Sequence, residues 1–336
     1  MNKQVEFLED DFVLVDKPER LQQEEVLPAQ SFWKDVWSRF ISNKGALIAA
    51  LVIAVIMVIA IVAPMLSSYA YDAVITQEQS MGPRIPIIEN LGILDGTVNG
   101  INKYESLNLQ DVYHFFGTDV LGRDLWVRVW EGTRISLFIA FVAVLIDICF
   151  GMIYGLISGF FGGKVDAIMQ RFVEIVNSIP QLVILILLLV VMKPSLTTII
   201  LALMLTGWIG MSRITRAQVL KIKEQEFILA SRTLGASDFF IIFKEILPNI
   251  FGQIIIMSMF SIPNAIFYEA FLAFVGLGLP IPLASLGTLI NTGFKSILVT
   301  PFMTIIPVVV LALLMLSFNL LADGLRDAFD PKMKEM

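Results

Sequence analysis

Six stretches of the chain are apolar for long enough, or nearly long enough, to cross a bilayer, and polar residues gather between them. They run over residues 45–66, 135–161, 173–192, 195–212, 250–277 and 302–321. Crossing the hydrocarbon core takes about 20 predominantly apolar residues in a helix. Runs of that length satisfy every backbone hydrogen bond within the segment. The pattern therefore predicts an all-α, polytopic membrane protein with six transmembrane helices. The fourth run is short, its start marked only by Lys193, Pro194 and Ser195. The second and fifth are long enough to tilt or to extend into the headgroups. Ahead of the first run, Phe32, Trp33, Val36, Trp37 and Phe40 recur at helical spacing, while Lys34, Asp35, Ser38 and Arg39 take the other face. Ser31 is placed to cap this helix. An amphipathic helix of this kind lies in the membrane interface; the plainer reading is a continuation of the first span.

Basic residues fix the orientation. With the N-terminus inside, segments 1–44, 162–172, 213–249 and 322–336 hold 17 Lys and Arg, and the outer segments hold 7. Cytoplasmic loops carry the excess of Lys and Arg, so both termini are predicted inside. The chain then divides into a cytosolic tail and interfacial helix (1–44), a first span (45–66), an extracytoplasmic loop (67–134), a five-helix core (135–321) containing a cytosolic loop (213–249), and a C-terminal cytosolic tail (322–336). The loop 67–134, with Pro83, Pro86 and several Gly and Asn, is expected to hold turns and short elements. Trp126 and Trp130 suit an aromatic anchor just before the second span.

Composition agrees: the 336 residues are 57% hydrophobic and 16% charged, against about 45–50% and about 25% in soluble domains. The net charge of −6 sits in loops and tails, and no basic run suggests nucleic acid. Residues 1–30 are acidic and polar, read as a flexible cytosolic tail or a regulatory segment and not as a signal peptide, because the first apolar run starts late and is too long. One cysteine, Cys149, and one histidine, His114, argue against disulfides and Cys/His metal sites.

Polar residues inside the apolar runs are the candidates for function. Gly151, Gly155 and Gly159 form a small-residue face on the second span, a device for close helix packing in lipid. Asp147 lies in the same helix, where an unpaired charge costs about 2.5–3.5 kcal/mol on insertion scales. It belongs either to a translocation path or to a structural hydrogen bond. Asn177 and Gln181 lie one turn apart in the third span around Pro180. Ser261, Asn264, Tyr268 and Glu269 follow in the fifth, with Pro263 among them. Such stripes face a bundle interior or a water-filled path, and interhelical hydrogen bonding alone would also explain them.

The segment between the fourth and fifth runs, Glu226-Phe-Ile-Leu-Ala-Ser-Arg-Thr-Leu-Gly235 and onward to Leu247-Pro248, predicts a short helix over 224–234. Gly235 would end it, and Ser237 or Asp238 would cap a second helix leading to Pro248. With Phe227, Ile228 and Leu234 exposed, such a loop wants either a partner surface or the membrane face.

This segment resembles the coupling loop of importer-type ABC permeases, whose pattern is Glu-Ala-Ala, three residues, Gly, then Leu-Pro. Ala230, Gly235, Leu247 and Pro248 match; Leu229 replaces the Glu and Ser231 the second Ala, with Glu226 one turn earlier as the candidate charge. Gly117-Thr-Asp-Val-Leu-Gly-Arg-Asp124, with Arg128 and Gly132-Thr-Arg-Ile-Ser-Leu137, resembles the segment leading into the second span of oligopeptide and dipeptide permease C-type subunits. So do Gly159-Phe-Phe-Gly-Gly-Lys-Val-Asp166 and Glu269-Ala-Phe-Leu-Ala-Phe-Val-Gly-Leu-Gly278 with Pro280, Pro282, Ser285 and Gly287, although Leu286 stands where that group has Trp. The resemblance covers about residues 31–330. It implies a type I importer permease in a bacterial cytoplasmic membrane, paired with a homologous B-type permease as a heterodimer. Two ATPase subunits, which hold ATP and Mg, would dock on Glu226, Phe227, Leu229, Ala230, Ser231, Leu234, Gly235, Ala236, Leu247 and Pro248. An extracytoplasmic binding protein would deliver an oligopeptide or dipeptide. The chain itself has no phosphate-binding loop, no catalytic residues and no cofactor or metal on this reading. The alternatives are an ion-coupled secondary transporter using Asp147 and Glu269, or an importer for nickel, glutathione or another small solute.

Overall fold

A computed structural model describes residues 32–329. The acidic tail, the proposed Ser31 cap and the last residues of the C-terminal tail lie outside the described residues. The chain opens with α1 (Phe32–Ser42) and α2 (Lys44–Leu66), the latter capped by Asn43, whose side chain accepts from the Ala46 N–H at 3.1 Å. An outer segment follows, with two 3₁₀ turns, a hairpin of β1 (Thr97–Val98) and β2 (Ile101–Asn102), and the single turn α3 (Lys103–Ser106). The rest is helical: α4 (Leu125–Phe161), α5 (Gly163–Asn177), α6 (Gln181–Met192), α7 (Leu196–Ile222), α8 (Glu226–Thr233), α9 (Asp238–Phe240), α10 (Leu247–Leu272), α11 (Leu286–Phe294) and α12 (Phe302–Phe329). Five helices among the described residues are long and apolar enough to cross a membrane, and α5 with α6, bent by 71°, is apolar enough to make a sixth if the pair counts as one broken span.

Several boundaries differ from the apolar runs, each for a physical reason. The second helix starts at Leu125 rather than near 135, because Asp124 caps it by accepting from the Val127 N–H at 2.9 Å. Trp126 and Trp130 therefore lie inside the helix, against each other and Phe116, and Trp130 is buried in the core rather than anchored ahead of the span. The run 173–192 is not one straight helix. Proline lacks an N–H and disfavours helix in the residue before it, so the chain breaks at Ser178–Pro180, leaving Asn177 at the end of α5 and Gln181 at the start of α6. The fourth span extends to Ile222, well past the point where polar side chains begin.

Pro248 does not end a helix either. Asp238–Leu277 is continuous, with a π-helical stretch at Ile241–Ile246 immediately before the proline. The wider turn makes room for the ring, and the Asn249 side chain donates to the Glu245 carbonyl at 2.6 Å. Proline removes the backbone donor that would otherwise serve this turn. A second π stretch, Ala273–Leu277, contains Gly276, whose φ of +90° kinks the chain there.

The two described ends meet. Val36 and Phe40 of α1 pack with Ala46 of α2 and Ala328 of α12 in a small cluster, and a Cβ on Gly324 would collide with the Ala46 Cβ. The ends of α4 and α12 and the starts of α7's neighbours α8 and α10 share that face: Lys223 Nζ donates to the Gly159 carbonyl at 2.8 Å, and Gly252 abuts the Phe329 ring. These are the segments richest in Lys and Arg, so the basic side of the protein is one side. On the opposite face the outer segment touches the chain near residues 285–302, for example where Asn99 Nδ2 donates to the Val299 carbonyl at 3.0 Å.

The outer segment is more ordered than turns alone. His114 is fully buried with Asp124 Oδ2 at 2.7 Å from Nδ1 and Glu78 Oε2 at 3.1 Å from Nε2. Asp119 accepts from the N–H groups of Leu121 and Arg123 and from Arg123 Nε, at 2.8, 3.0 and 2.7 Å. Gly122, at φ +77°, leaves no room for a Cβ against the Ile75 carbonyl. The stretch 117–124 thus ties the outer segment to the first turn of α4.

Candidate functional site

The α4–α7 contact organises the centre of the molecule. A Cβ at Gly151 would stand 2.6 Å from Met211 Cβ and from the Trp208 carbonyl oxygen. At Gly155 it would stand 2.5 Å from the Ser212 oxygen, and at Gly159 2.8 Å from Val219 Cβ. The two helices run parallel, and each step of four on α4 meets a step of four on α7. Close approach of backbones is what small residues supply where lipid provides no hydrophobic drive.

Asp147 occupies the next rung of the same ladder. Here the small partner is on the facing helix: a Cβ on Gly207 would lie 2.5 Å from both carboxylate oxygens. Asp147 is 7% exposed, and its Oδ1 has no hydrogen-bond partner among the described residues. It borders a cavity of about 340 Å³ between α4, α7, α10 and the α5–α6 break. Asn177 and Gln181 line this cavity from either side of the break, and Ser261, Asn264 and Tyr268 from α10. Six of the seven polar residues singled out as path candidates therefore converge on one space.

Glu269 does not. One residue past Tyr268, about 100° further round the helix, it faces α4 and α11, fully buried. Its Oε2 accepts from Ser136 Oγ at 2.9 Å, and Ser136 Oγ in turn accepts from the Leu286 N–H at 3.2 Å. This carboxylate joins three helices. Glu269→Ala is expected to lower the thermal stability of the detergent-solubilised protein, by about 1–3 kcal/mol for a buried partner left unsatisfied. Glu269→Gln, which keeps an acceptor, is expected to lose less. Equal melting temperatures for Ala and wild type would contradict that role.

The apolar pattern does not single out every residue of the cavity wall, and among those it hides are Thr206, Gly210 and Arg213 of α7. They fall at i, i+4 and i+7, a helical face that becomes visible only once the helix is known to pass 212. Arg213 has no ion pair among the described residues. Its neighbour Arg216 does, holding Asp166 of α5 through two contacts of 2.6 Å, the bidentate geometry that makes such pairs strong.

On the basic side, α8 projects beyond α7. Gly235, at φ +84°, closes it: its N–H bonds the Arg232 carbonyl at 3.1 Å and the Ala236 N–H bonds the Ser231 carbonyl at 3.0 Å, the paired pattern of a glycine-terminated helix. Ser237 then caps the next helix through the Phe240 N–H at 3.3 Å. Contrary to the expectation that Phe227, Ile228 and Leu234 are all exposed, Ile228 is not. It is fully buried among Val219, Ile222, Ile241, Ile242 and Ile246, one-sided burial being what fastens so short a helix. Ser231 donates to Glu245 within the chain, and Glu226 is exposed in the first turn of α8. Phe227, Leu229 and Leu234 point outward, Leu234 being 87% exposed, with Ala230, Gly235 and Pro248 also exposed and Ala236 and Leu247 partly so.

Comparison with known proteins agrees with this geometry. Residues 151–335 match the family described as binding-protein-dependent transport system inner membrane component. Residues 31–84 match the N-terminal transmembrane domain of oligopeptide transport permease C. The chain is 43% identical over 305 residues to the oligopeptide transport system permease protein OppC of Bacillus subtilis, covering 91% of each chain. It is 40% identical to the dipeptide transport system permease protein DppC of the same organism, over 96% of this chain and 93% of that one. It is 41% identical to DppC of Lactococcus lactis subsp. cremoris, over 98% of this chain and 100% of that one.

Proposed function

The chain belongs to the binding-protein-dependent transport system inner membrane component family, and from that membership we propose that it is the subunit through which an ATP-driven importer carries short peptides into a bacterial cell. That it is a multi-pass permease subunit of an ABC importer in the cytoplasmic membrane follows from the family. The peptide cargo is our reading, supported by relatives named for oligopeptide and dipeptide transport.

The observation that carries the ATP-driven reading is α8. A helix of eight residues, anchored from beneath by Ile228 and presenting Phe227, Leu229 and Leu234 outward, is an apolar knob on the basic side. Isolated apolar patches of this kind mark contact surfaces. It fits a cleft on an ATPase subunit; two such subunits, holding ATP and Mg, would serve this chain and a homologous B-type permease. An extracytoplasmic binding protein would present peptide to the outer segment. Closure of the ATPases would move α8 and bias the helices between two arrangements, which is what coupling two distant sites requires.

The test is purification of the whole complex from native membranes in mild detergent, followed by uptake of labelled peptide in proteoliposomes. ATPase subunits and a second multi-span chain are expected to copurify, and uptake is expected to need ATP and to survive collapse of the proton gradient. Uptake that follows the proton gradient and ignores ATP would instead make this an ion-coupled carrier.

A further inference from the structure

We propose that Asp147 is the counter-charge for the ammonium group of the transported peptide. This rests on the importer reading above and names the chemistry its central cavity selects.

The first ground is the rung that Asp147 occupies. At 151, 155 and 159 the seam takes glycine, and at the fourth position it takes a carboxylate, with Gly207 giving back the space. Glycine here would have continued the seam, so a charge stands where close packing needs none. The second ground is that no described residue forms an ion pair with it. Among the described residues Asp147 has no basic residue within 4 Å and Oδ1 has no hydrogen bond, although the side chain is 93% removed from solvent by its 7% exposure. A buried carboxylate facing a cavity without a partner is suited to a cation brought in from outside. The described residues offer no cluster of three or more acidic, His or Cys side chains for a metal.

The third ground is the chemistry of the rest of the wall. Ser261 spends its hydroxyl proton on the Met257 carbonyl at 3.0 Å, and Asn264 spends an amide proton on the Phe260 carbonyl at 3.1 Å. Each keeps an acceptor oxygen. Beside the Asp147 carboxylate these oxygens remain available to accept, and an ammonium group brings three donors to share among them.

The cavity also has polarity along its length. Arg213 lies six residues beyond Gly207 on α7, about 9 Å along the axis, close to the reach of three extended residues at about 3.3–3.6 Å each. The volume of about 340 Å³ falls within the range of about 300–1,000 Å³ usual for small-ligand sites. A short peptide would lie with its ammonium at Asp147 and its carboxylate toward Arg213.

The test measures equilibrium binding of radiolabelled tri-alanine, its N-acetyl derivative, and N-acetyl-Lys-Ala-Ala to the complete purified complex in nanodiscs, with the binding protein left out. The wild type is expected to favour tri-alanine over N-acetyl-tri-alanine roughly tenfold or more, the order expected for one well-placed charge contact. Asp147→Asn, nearly the same shape and still accommodated by Gly207, is expected to abolish that preference by weakening tri-alanine alone. Recovery of affinity with N-acetyl-Lys-Ala-Ala would show that any ammonium serves; no recovery would assign the site to the chain terminus. Asp147→Glu is expected to keep a reduced preference. A preference unchanged in Asp147→Asn overturns the inference, as does a wild type that binds all three peptides equally or none of them. ATP-dependent uptake by the same wild-type complex in vesicles decides separately whether the importer reading stands.

Discussion

Gly155→Leu is expected to yield little or no folded protein. A Cβ at 155 would already lie 2.5 Å from the Ser212 carbonyl oxygen, 2.6 Å from Thr215 Cβ and 2.9 Å from the Arg216 N. Two of these atoms are backbone and cannot step aside by changing rotamer. Overpacking a core by a few atoms costs typically about 1–3 kcal/mol when neighbours can relax; here α4 would have to separate from α7 along the seam. The measurement is the monodisperse yield and melting temperature of the detergent-solubilised chain. Gly210→Ala is the control, because its Cβ would meet nothing within 4 Å, and removing a helical glycine gains up to about 1 kcal/mol. A Gly155→Leu protein as stable as the control would mean that the seam is looser than its geometry states.

Ile228→Asp should abolish ATP-driven uptake for a different reason. The side chain is fully buried, and removing a buried isoleucine alone costs about 2–5 kcal/mol. The carboxylate adds a charge with no partner in a wall of isoleucines. Since α8 is too short to persist without tertiary support, it should come away from the π-helical stretch while the spans stay assembled. The expected outcome is a complex that no longer retains ATPase subunits and transports less than a tenth of the wild-type amount. Leu234→Asp makes the complementary case. At 87% exposed it should leave melting temperature unchanged and still weaken ATPase retention, because it spoils the outward face without loosening the anchor. Retention and uptake unaffected by Leu234→Asp would remove α8 from the coupling role.

Membrane sequences are legible where lipid dictates composition. The long crossings could be read because apolar residues must fill them. The seam on α4 could be read because glycine at four-residue spacing has few other uses in a long apolar helix. What the pattern hides is where a helix continues into polar surroundings. α4 begins at Leu125 and α7 ends at Ile222, both beyond the apolar runs, and the second extension carries Arg213 to the cavity. Burial was also obscured in α8, where Phe227, Ile228 and Leu229 are all apolar and only tertiary contact decides that the middle one is inside. Glu269 was grouped with its neighbours by proximity along the chain, yet a helix separates adjacent residues by about 100° and sends it to Ser136 instead. The bend at Pro180 was visible as a proline; its consequence, two helices rather than one, depended on neighbours the sequence does not display.

The parallel seam has a mechanical corollary. α8 hangs from the end of α7 by the short link 223–225, and Lys223 in that link grips the Gly159 carbonyl of α4. Two helices meshed rung by rung and clasped at one end resist sliding and bending separately, so they turn together as a stiff rod. From Gly159 to Asp147 that rod is twelve residues long, about 18 Å at 1.5 Å per residue. A push delivered at the basic surface would therefore reach the buried carboxylate along that rod and not be lost in bending between the two helices.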